Sequence, residues 1–371
     1  MKAAPAEQIV PRERCIYMSK QEQIRRLWKD GFGDSREYTD MYFSRIYDDE
    51  NVLTISNEEG RVVSCIQMAH YDMLFAGQRV GLSYFGGAIT DRRYRGRGYM
   101  SRLMLQAMDK AVESGAMMCA LIPAHDWLYF FFDRFGFSTV YLADRQCFTS
   151  FHPFNTAAEY VPLSDPYSDQ IFEAFARFEE SREGGVLHSH RDFINILDEL
   201  SLRKGGTFVA VGRHDVPVAG MAWAVDRDRF IQVNELLGVD DDARTAALRE
   251  LRKRFPDRQF TVLAPAATAH GRHLYARGMG RIINVGEALR LLAQANPKWK
   301  SAIRIHDPFF PQNCHTFVVA DGACTVNDAY KSRLDFDLPI DVFIRVLFSS
   351  PSAGDILGFP CHRTHISLMP H

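Results

Sequence analysis

The stretch from Val80 to Ile122 constrains the fold more than any other part of the chain. Val80–Ile89 is a β-rich run that leads into a basic, glycine-containing segment. Met100, Leu103, Met104, Ala107, Met108, Ala111 and Val112 then recur at helical spacing, with Arg102, Gln106, Asp109, Lys110 and Glu113 on the other side. Gly115 stops this helix, and Met117–Ile122 reads as a buried strand. A long amphipathic helix is therefore set between two strands.

Elements on either side extend the pattern. Residues 21–31 carry Ile24, Leu27 and Trp28 on one face and read as a helix ended by Gly31 and Gly33. Thr39–Ile46 is a second short helix, and Val52–Ser56 and Val62–His70 are strands joined at Asn57-Glu58-Glu59-Gly60. A helix follows around Trp127–Arg134. The texture loosens between Phe151 and Pro166, where a boundary is expected. Beyond it come helices Gln170–Glu179 and Arg191–Leu200, a hairpin of Thr207–Gly212 and Val218–Val225, and strand Ile231–Leu237. Helix Arg244–Arg254, strand Phe260–Ala264 and a helix around Arg272–Arg277 complete this block, which repeats the order of the first. A third segment starts after Asn296-Pro297, with strands Ala302–Ile305, His315–Ala320 and Ala323–Val326 and a helix or strand at Ile340–Leu347.

At 371 residues the chain exceeds the ~250–300 that one core organises, so several domains are expected: 1–150, 151–295 and 296–371. With 46% hydrophobic residues and a net charge of −2, the chain has material for packed cores and no basic field for nucleic acid or an anionic membrane. The start MKAAPAEQIVPRERC lacks the apolar core of a signal peptide, and no later run approaches a bilayer span, so a cytoplasmic location is expected. The 7 cysteines (Cys15, Cys65, Cys119, Cys147, Cys314, Cys324 and Cys361) form no CxxC pair, and neither a disulfide framework nor a metal site is expected.

The chemistry lies in Thr90-Asp91-Arg92-Arg93-Tyr94-Arg95-Gly96-Arg97-Gly98-Tyr99-Met100-Ser101. Gly96 and Gly98 leave main-chain amides uncovered where a helix begins, and Arg92, Arg93, Arg95 and Arg97 add cations. Such a junction suits a multiply charged anion, most simply a pyrophosphate. The bland reading is a tight turn beside solvated arginines. Neither GxGxxG nor GxxxxGK[ST] is matched. In the second block the corresponding junction reads Asp240-Asp241-Asp242, which would repel a phosphate; these acids are either helix caps or an acidic wall for a cationic amine.

With Arg93-x-x-Gly96-x-Gly98 at a strand-to-helix junction, followed by a buried strand, a helix and Arg134-Phe135-Gly136-Phe137, the sequence resembles the GCN5-related N-acetyltransferases (GNAT). Across its length, with segments such as Leu121-Ile122-Pro123-Ala124 and Arg304-Ile305-His306-Asp307, it resembles the enhanced intracellular survival (Eis) family. That resemblance implies an α+β fold: tandem GNAT-like domains, each a mixed central sheet flanked by helices, with a C-terminal sterol carrier protein-like α/β domain. It implies acetyl-CoA as acetyl donor, no metal, transfer to a primary amine of a small cationic molecule or a lysine, and a homo-oligomer. Pyrophosphate binding falls to Arg93, Arg95, Gly96, Arg97, Gly98, Tyr99 and Ser101, with main-chain contacts from Ala88, Ile89 and Thr90.

The catalytic positions depart from the family. A tyrosine three residues before the Phe-Gly is the acid for the thiolate in Eis-like enzymes, and Phe132 stands there, unable to donate a proton. Tyr129 is the substitute, or else a core aromatic. The family's base is the terminal carboxylate, here on His371, and His125 with Asp126 is a second candidate pair. Cys119 is a covalent nucleophile or an inert core thiol. The competing readings are a catalytically silent protein that binds CoA or another ligand as a sensor or scaffold, and a lipid-carrying C-terminal module.

Overall fold

A computed structural model describes residues 18–265, 274–361 and 363–370. Cys15, Arg272, His371 and the amino-terminal leader reading lie outside these residues. Helices α1 (Lys20–Phe32) and α2 (Arg36–Arg45) precede strands β1 (Val52–Ser56), β2 (Val62–Phe75) and β3 (Gln78–Thr90). Then come α3 (Tyr99–Glu113), β4 (Met118–Leu121), α4 (Asp126–Asp133) and β5 (Ser138–Phe148). The second block contains β6 (Val161–Pro162), α5 (Asp169–Glu180), β7 (Val186–Leu187), α6 (His190–Leu202), β8 (Thr207–Arg213), β9 (Val216–Asp226) and β10 (Phe230–Gly238). It ends with α7 (Asp241–Arg254), β11 (Gln259–Pro265) and β12 (Leu274–Ile282). The last part contains α8 (Val285–Ala295), β13 (Ser301–His306), β14 (Thr316–Ala320), β15 (Ala323–Val326), β16 (Phe336–Pro339), α9 (Ile340–Leu347) and α10 (Pro351–Leu357). The fold is α+β, with a mixed sheet flanked by helices.

The chain divides into two compact units, Met1–Met68 with Phe85–Ala107 and Ala69–Tyr84 with Met108–His371. In the first, Ser19 and Glu22 form a capping box at the start of α1, and Gly33 ends that helix in a left-handed conformation. The predicted apolar face is buried: Ile24, Leu27 and Trp28 pack with Tyr42, Phe43 and Ile89. β1 pairs antiparallel with β2, from Val52 opposite Gln67 onward.

In the second unit the strands run β3-β4-β12-β5-β11-β10-β9-β8-β6. β3 and β4 are parallel, as are β10 and β11, which is the pairing a crossover helix permits. The repeated element order ends in an exchange. β12 lies between β4 and β5, while β5 pairs antiparallel with β11, so the last strand of each block adds to the other block's sheet. The helix expected at Arg272–Arg277 is a correction: residues 274–277 begin β12, with Leu274, Tyr275 and Ala276 opposite Asp144, Ala143 and Leu142. Pairing with β5 overrides the helix preference of Leu, Ala and Arg.

After β12 a four-stranded sheet in the order β15-β14-β13-β16 packs Ile303, Ile305 and Phe317 with Phe343, Ile344 and Leu347 of α9, and Ile340–Leu347 is a helix. The tail is buried: Thr364, Ile366, Ser367 and Met369 are each no more than 4% exposed. No described helix is long and apolar enough to cross a membrane.

Candidate active site

In the first unit β3 ends at Thr90, and the chain turns through a short 3-10 segment, Arg92–Tyr94, into α3. Asp91 organises the turn. Its main-chain amide donates to Val63 O at 2.9 Å, and its carboxylate accepts from Arg93 N (3.0 Å), Arg93 Nη2 (2.9 Å) and Arg61 Nη2 (3.2 Å). The Arg93 side-chain bonds hold the Asp91 carboxyl below its ordinary pKa. Arg95 Nε donates to Thr90 O at 3.2 Å, and the Arg97 guanidinium lies 5.0 Å from the Tyr94 ring centroid. Arg92 and Arg97 have no carboxylate partner among the described residues.

Gly96 and Gly98 both have φ of 76°, and a side chain built on either meets nothing within 4 Å. The left-handed backbone, not crowding, selects glycine here. Gly98 O accepts from Arg102 N at 3.1 Å, so Gly98 opens α3 with no side chain to cap it. The amides of Tyr99, Met100 and Ser101 have no helical acceptor by geometry, and they lie at the positive end of the helix dipole, where negative charge is favoured.

The second unit holds a cavity of about 180 Å³. Its walls come from β4's exit (Ile122, Pro123), α4 (Tyr129), α6, β9–β12 and the tail residues Leu368 and Met369. Glu199 on α6 and Arg203 at that helix's C-terminal cap form an ion pair, with Arg203 Nε 3.0 Å from Glu199 Oε1. Arg277 lines the cavity from β12, and its Nη1 is buried without a hydrogen-bond partner.

Residues 14–140 match the family described as Acetyltransferase (GNAT) domain. That stretch of the chain is similar to a GNAT acetyltransferase domain. No curated protein matches the sequence. Among solved structures, a probable N-acyltransferase from Enterococcus faecalis V583 is similar over 95% of this chain and 96% of its own, at 15% identity and a TM-score of 0.73. A GCN5-related N-acetyltransferase from Anabaena variabilis covers 92% and 91% at 16% identity and 0.71. Eis1 from Mycobacterium abscessus covers 92% and 90% at 14% identity and 0.68. At these identities the likeness is one of fold.

Within the matched segment, the residues singled out around the loop are contiguous. Ala88, Ile89 and Thr90 end β3, Arg93, Arg95, Gly96, Arg97 and Gly98 form the turn, and Tyr99 and Ser101 start α3. Ile89 is buried in the unit's core, and its carbonyl accepts from Ser64 Oγ at 3.2 Å. Tyr129 lines the cavity of the second unit, its hydroxyl directed to Ala276 O at 3.5 Å and its pKa raised by burial. His125 is exposed at the cap of α4, makes no capping bond, and is not among the cavity-lining residues. Phe132 is buried and tilts against Phe137. His371 lies outside the described residues, but Pro370 before it accepts from Tyr84 Oη at 3.4 Å. Cys119 is fully buried and its thiol is pushed up to about 12, so it supplies no thiolate.

Asp240, Asp241 and Asp242 are structural. Asp240 caps α7 at Ala243 N (2.7 Å) and pairs with Arg213, Asp241 pairs with Arg244, and Asp242 accepts from Ala157 N, Ala158 N and Tyr160 Oη. Sequence reasoning missed the local pair Glu199 and Arg203, and Arg277, which only the strand exchange brings to the same cavity. It also missed a buried polar cluster under the tail: Glu235 accepts from Arg182 Nη2 (2.9 Å) and Ser367 Oγ.

Proposed function

We propose that the chain is an acetyl-CoA-dependent N-acetyltransferase that acetylates a primary amine of a small molecule. The observation that carries this reading is the loop at the start of α3: two left-handed glycines, uncapped amides and the guanidinium groups of Arg95 and Arg97, inside the segment that matches the acetyltransferase family. That loop is assigned the pyrophosphate of the donor. Acetyl-CoA would supply an activated thioester, and the protein's part is to hold it, exclude water and manage two protons.

For those protons, Tyr129 is the preferred acid. It lines a cavity, and burial keeps its hydroxyl protonated, the form from which a departing thiolate can take a proton. The proposed base is the terminal carboxylate of His371; His125 is the alternative. We extend the proposal to an Eis-like arrangement of GNAT-like modules at 1–150 and 151–295 and a sterol carrier protein-like module at 296–371. A homo-oligomer and a cytoplasmic location belong to the same proposal. The fold likeness to Eis1 over 92% of the chain supports the arrangement.

Thiol release from acetyl-CoA with a panel of amines, alongside calorimetric CoA binding, tests the reading. CoA binding with turnover on at least one amine is expected. Binding without turnover would favour the silent sensor, and no binding would overturn both. Replacing Tyr129 by Phe is expected to lower kcat by ~10²–10⁴ with CoA affinity unchanged.

A further inference from the structure

We infer that the cavity of the second unit binds an acceptor carrying a carboxylate, an amino acid or close relative, with Arg277 as the group that grips it. This names the substrate class of the proposed acetyltransfer and rests on that reading. The charged residues lining the cavity among those described are Glu199, Arg203, Arg227 and Arg277. Glu199 is bound to Arg203, so Arg227 and Arg277 are left in excess and the cavity is net cationic.

Arg277 is the decisive group. Its Nη1 is buried with no hydrogen-bond partner, and burial depresses its pKa, as expected for a cation that the protein does not fully compensate. The carboxylate that acts on it electrostatically, Glu235, has both oxygens engaged: Oε1 by Arg182 and Leu236 N, Oε2 by Ser367 and His365. A buried guanidinium donor without an acceptor costs stability, and a ligand carboxylate would satisfy it with the charge-assisted geometry that arginine favours. A polycation would instead meet two arginines. The remaining wall is mixed: Trp223, Leu263 and Ile196 supply apolar surface and Gln232 and Asn234 polar groups, which suits a small body of mixed polarity behind the carboxylate. At about 180 Å³ the cavity falls below the ~300–1,000 Å³ of drug-sized sites, which suits a molecule of amino-acid size.

Two measurements on the full chain test this. In thiol-release assays, each of the twenty amino acids is compared with its carboxamide and its decarboxylated amine. At least one amino acid is expected to exceed both neutral-end analogues in kcat/KM by about 10- to 100-fold, the range for one charge-assisted bond. In calorimetry without acetyl-CoA, the same amino acids and their N-acetyl derivatives are expected to bind, and Arg277→Gln to abolish binding while CoA affinity stays unchanged. Arg277→Lys should restore part of it.

Decarboxylated amines or polyamines acetylated as well as amino acids would overturn the inference and leave the acetyltransferase standing. Carboxylates that bind through Arg277 with no amine acetylated would overturn the acetyltransferase and leave the carboxylate site standing. Absence of binding by every carboxylate would overturn the inference. Arg277→Met should keep or raise Tm, because an uncompensated buried cation is removed; a marked fall would assign Arg277 a structural role instead.

Discussion

His365 Nε2 lies 3.2 Å from Glu235 Oε2, although 130 positions separate them in the chain. A second buried pair, His188 Nδ1 and Glu179 Oε1 at 2.6 Å, belongs to the same unit. The two histidines titrate in opposite senses. Burial lowers the pKa of His365, with the opposing charge of Glu235 too weak to reverse it. For His188 burial also opposes the charge, but Glu179 overrides it and the pKa is raised.

These signs predict the shape of the stability curve. A lowered histidine stabilises the fold above its ordinary value of 6.5 and loses that contribution as pH falls through the folded value. A raised one stabilises below 6.5 and loses its contribution as pH rises through its folded value. The carboxyl of Glu235, buried but held well below 4.5 by Arg182 and His365, gives stability that is lost only at still lower pH. Urea midpoints measured from about pH 5 to 9 should peak near the ordinary histidine value. His365→Gln should flatten the acid limb and His188→Gln the alkaline limb.

If the glycine loop before α3 holds the diphosphate, as proposed, stability and binding should split. Alanine at Gly96 or Gly98 would have to adopt φ of 76°, which costs about 1–2 kcal/mol, but would touch no protein atom within 4 Å. Each variant should lose only a few degrees in Tm. Calorimetric CoA affinity should fall by at least about tenfold, because the added methyl occupies the space the diphosphate needs. Equal CoA affinity in wild type and both variants would remove the loop from the binding site.

The tail offers a third test. Gly184 has φ of 74°, and a methyl group there would stand 2.6 Å from Arg363 O and 2.9 Å from Thr364 Cα. His365 N donates to Gly184 O at 2.9 Å, so the two segments are in close main-chain contact. Gly184→Ala should therefore unseat the tail and speed amide exchange at residues 364–369. Turnover should fall with CoA affinity unchanged if the terminal carboxylate is the base. Unchanged exchange would show that the contact does not hold the tail.

Much of the architecture was legible because it is local. The spacing from Met100 to Val112 marks α3, Ile24, Leu27 and Trp28 mark the buried face of α1, and the basic glycine turn stands where β3 meets α3. What was not legible depends on partners far apart in sequence. Nothing within Leu274–Ile282 says that it pairs with β4 and β5, and its first residues favour a helix until that pairing forms. The cavity follows from the same exchange: Arg277 arrives on β12, Glu199 on α6 and Leu368 on the tail. Each alone reads as an ordinary surface or core residue.

The exchanged strand also carries a fully buried ion pair. Arg281 on β12 and Asp307 after β13 have fully buried side chains, with Nη2 2.7 Å from Oδ1. Asp307 further accepts from Asn313 Nδ2 at 2.9 Å and from Phe309 N at 3.0 Å. Removing the acid in Asp307→Ala leaves the cation buried and unpaired, which should cost about 3–5 kcal/mol. Asp307→Asn, which keeps hydrogen-bond acceptors, should cost less. Replacing both partners with apolar residues of similar volume, as in Arg281→Met with Asp307→Leu, should recover most of the loss, because desolvation of the pair offsets its attraction. Denaturant unfolding of wild type, Arg281→Met, Asp307→Leu and the double variant closes the cycle and gives the coupling. A double variant no more stable than Asp307→Ala would mean that the pair, beyond neutralising its own charges, fixes where β12 enters the sheet.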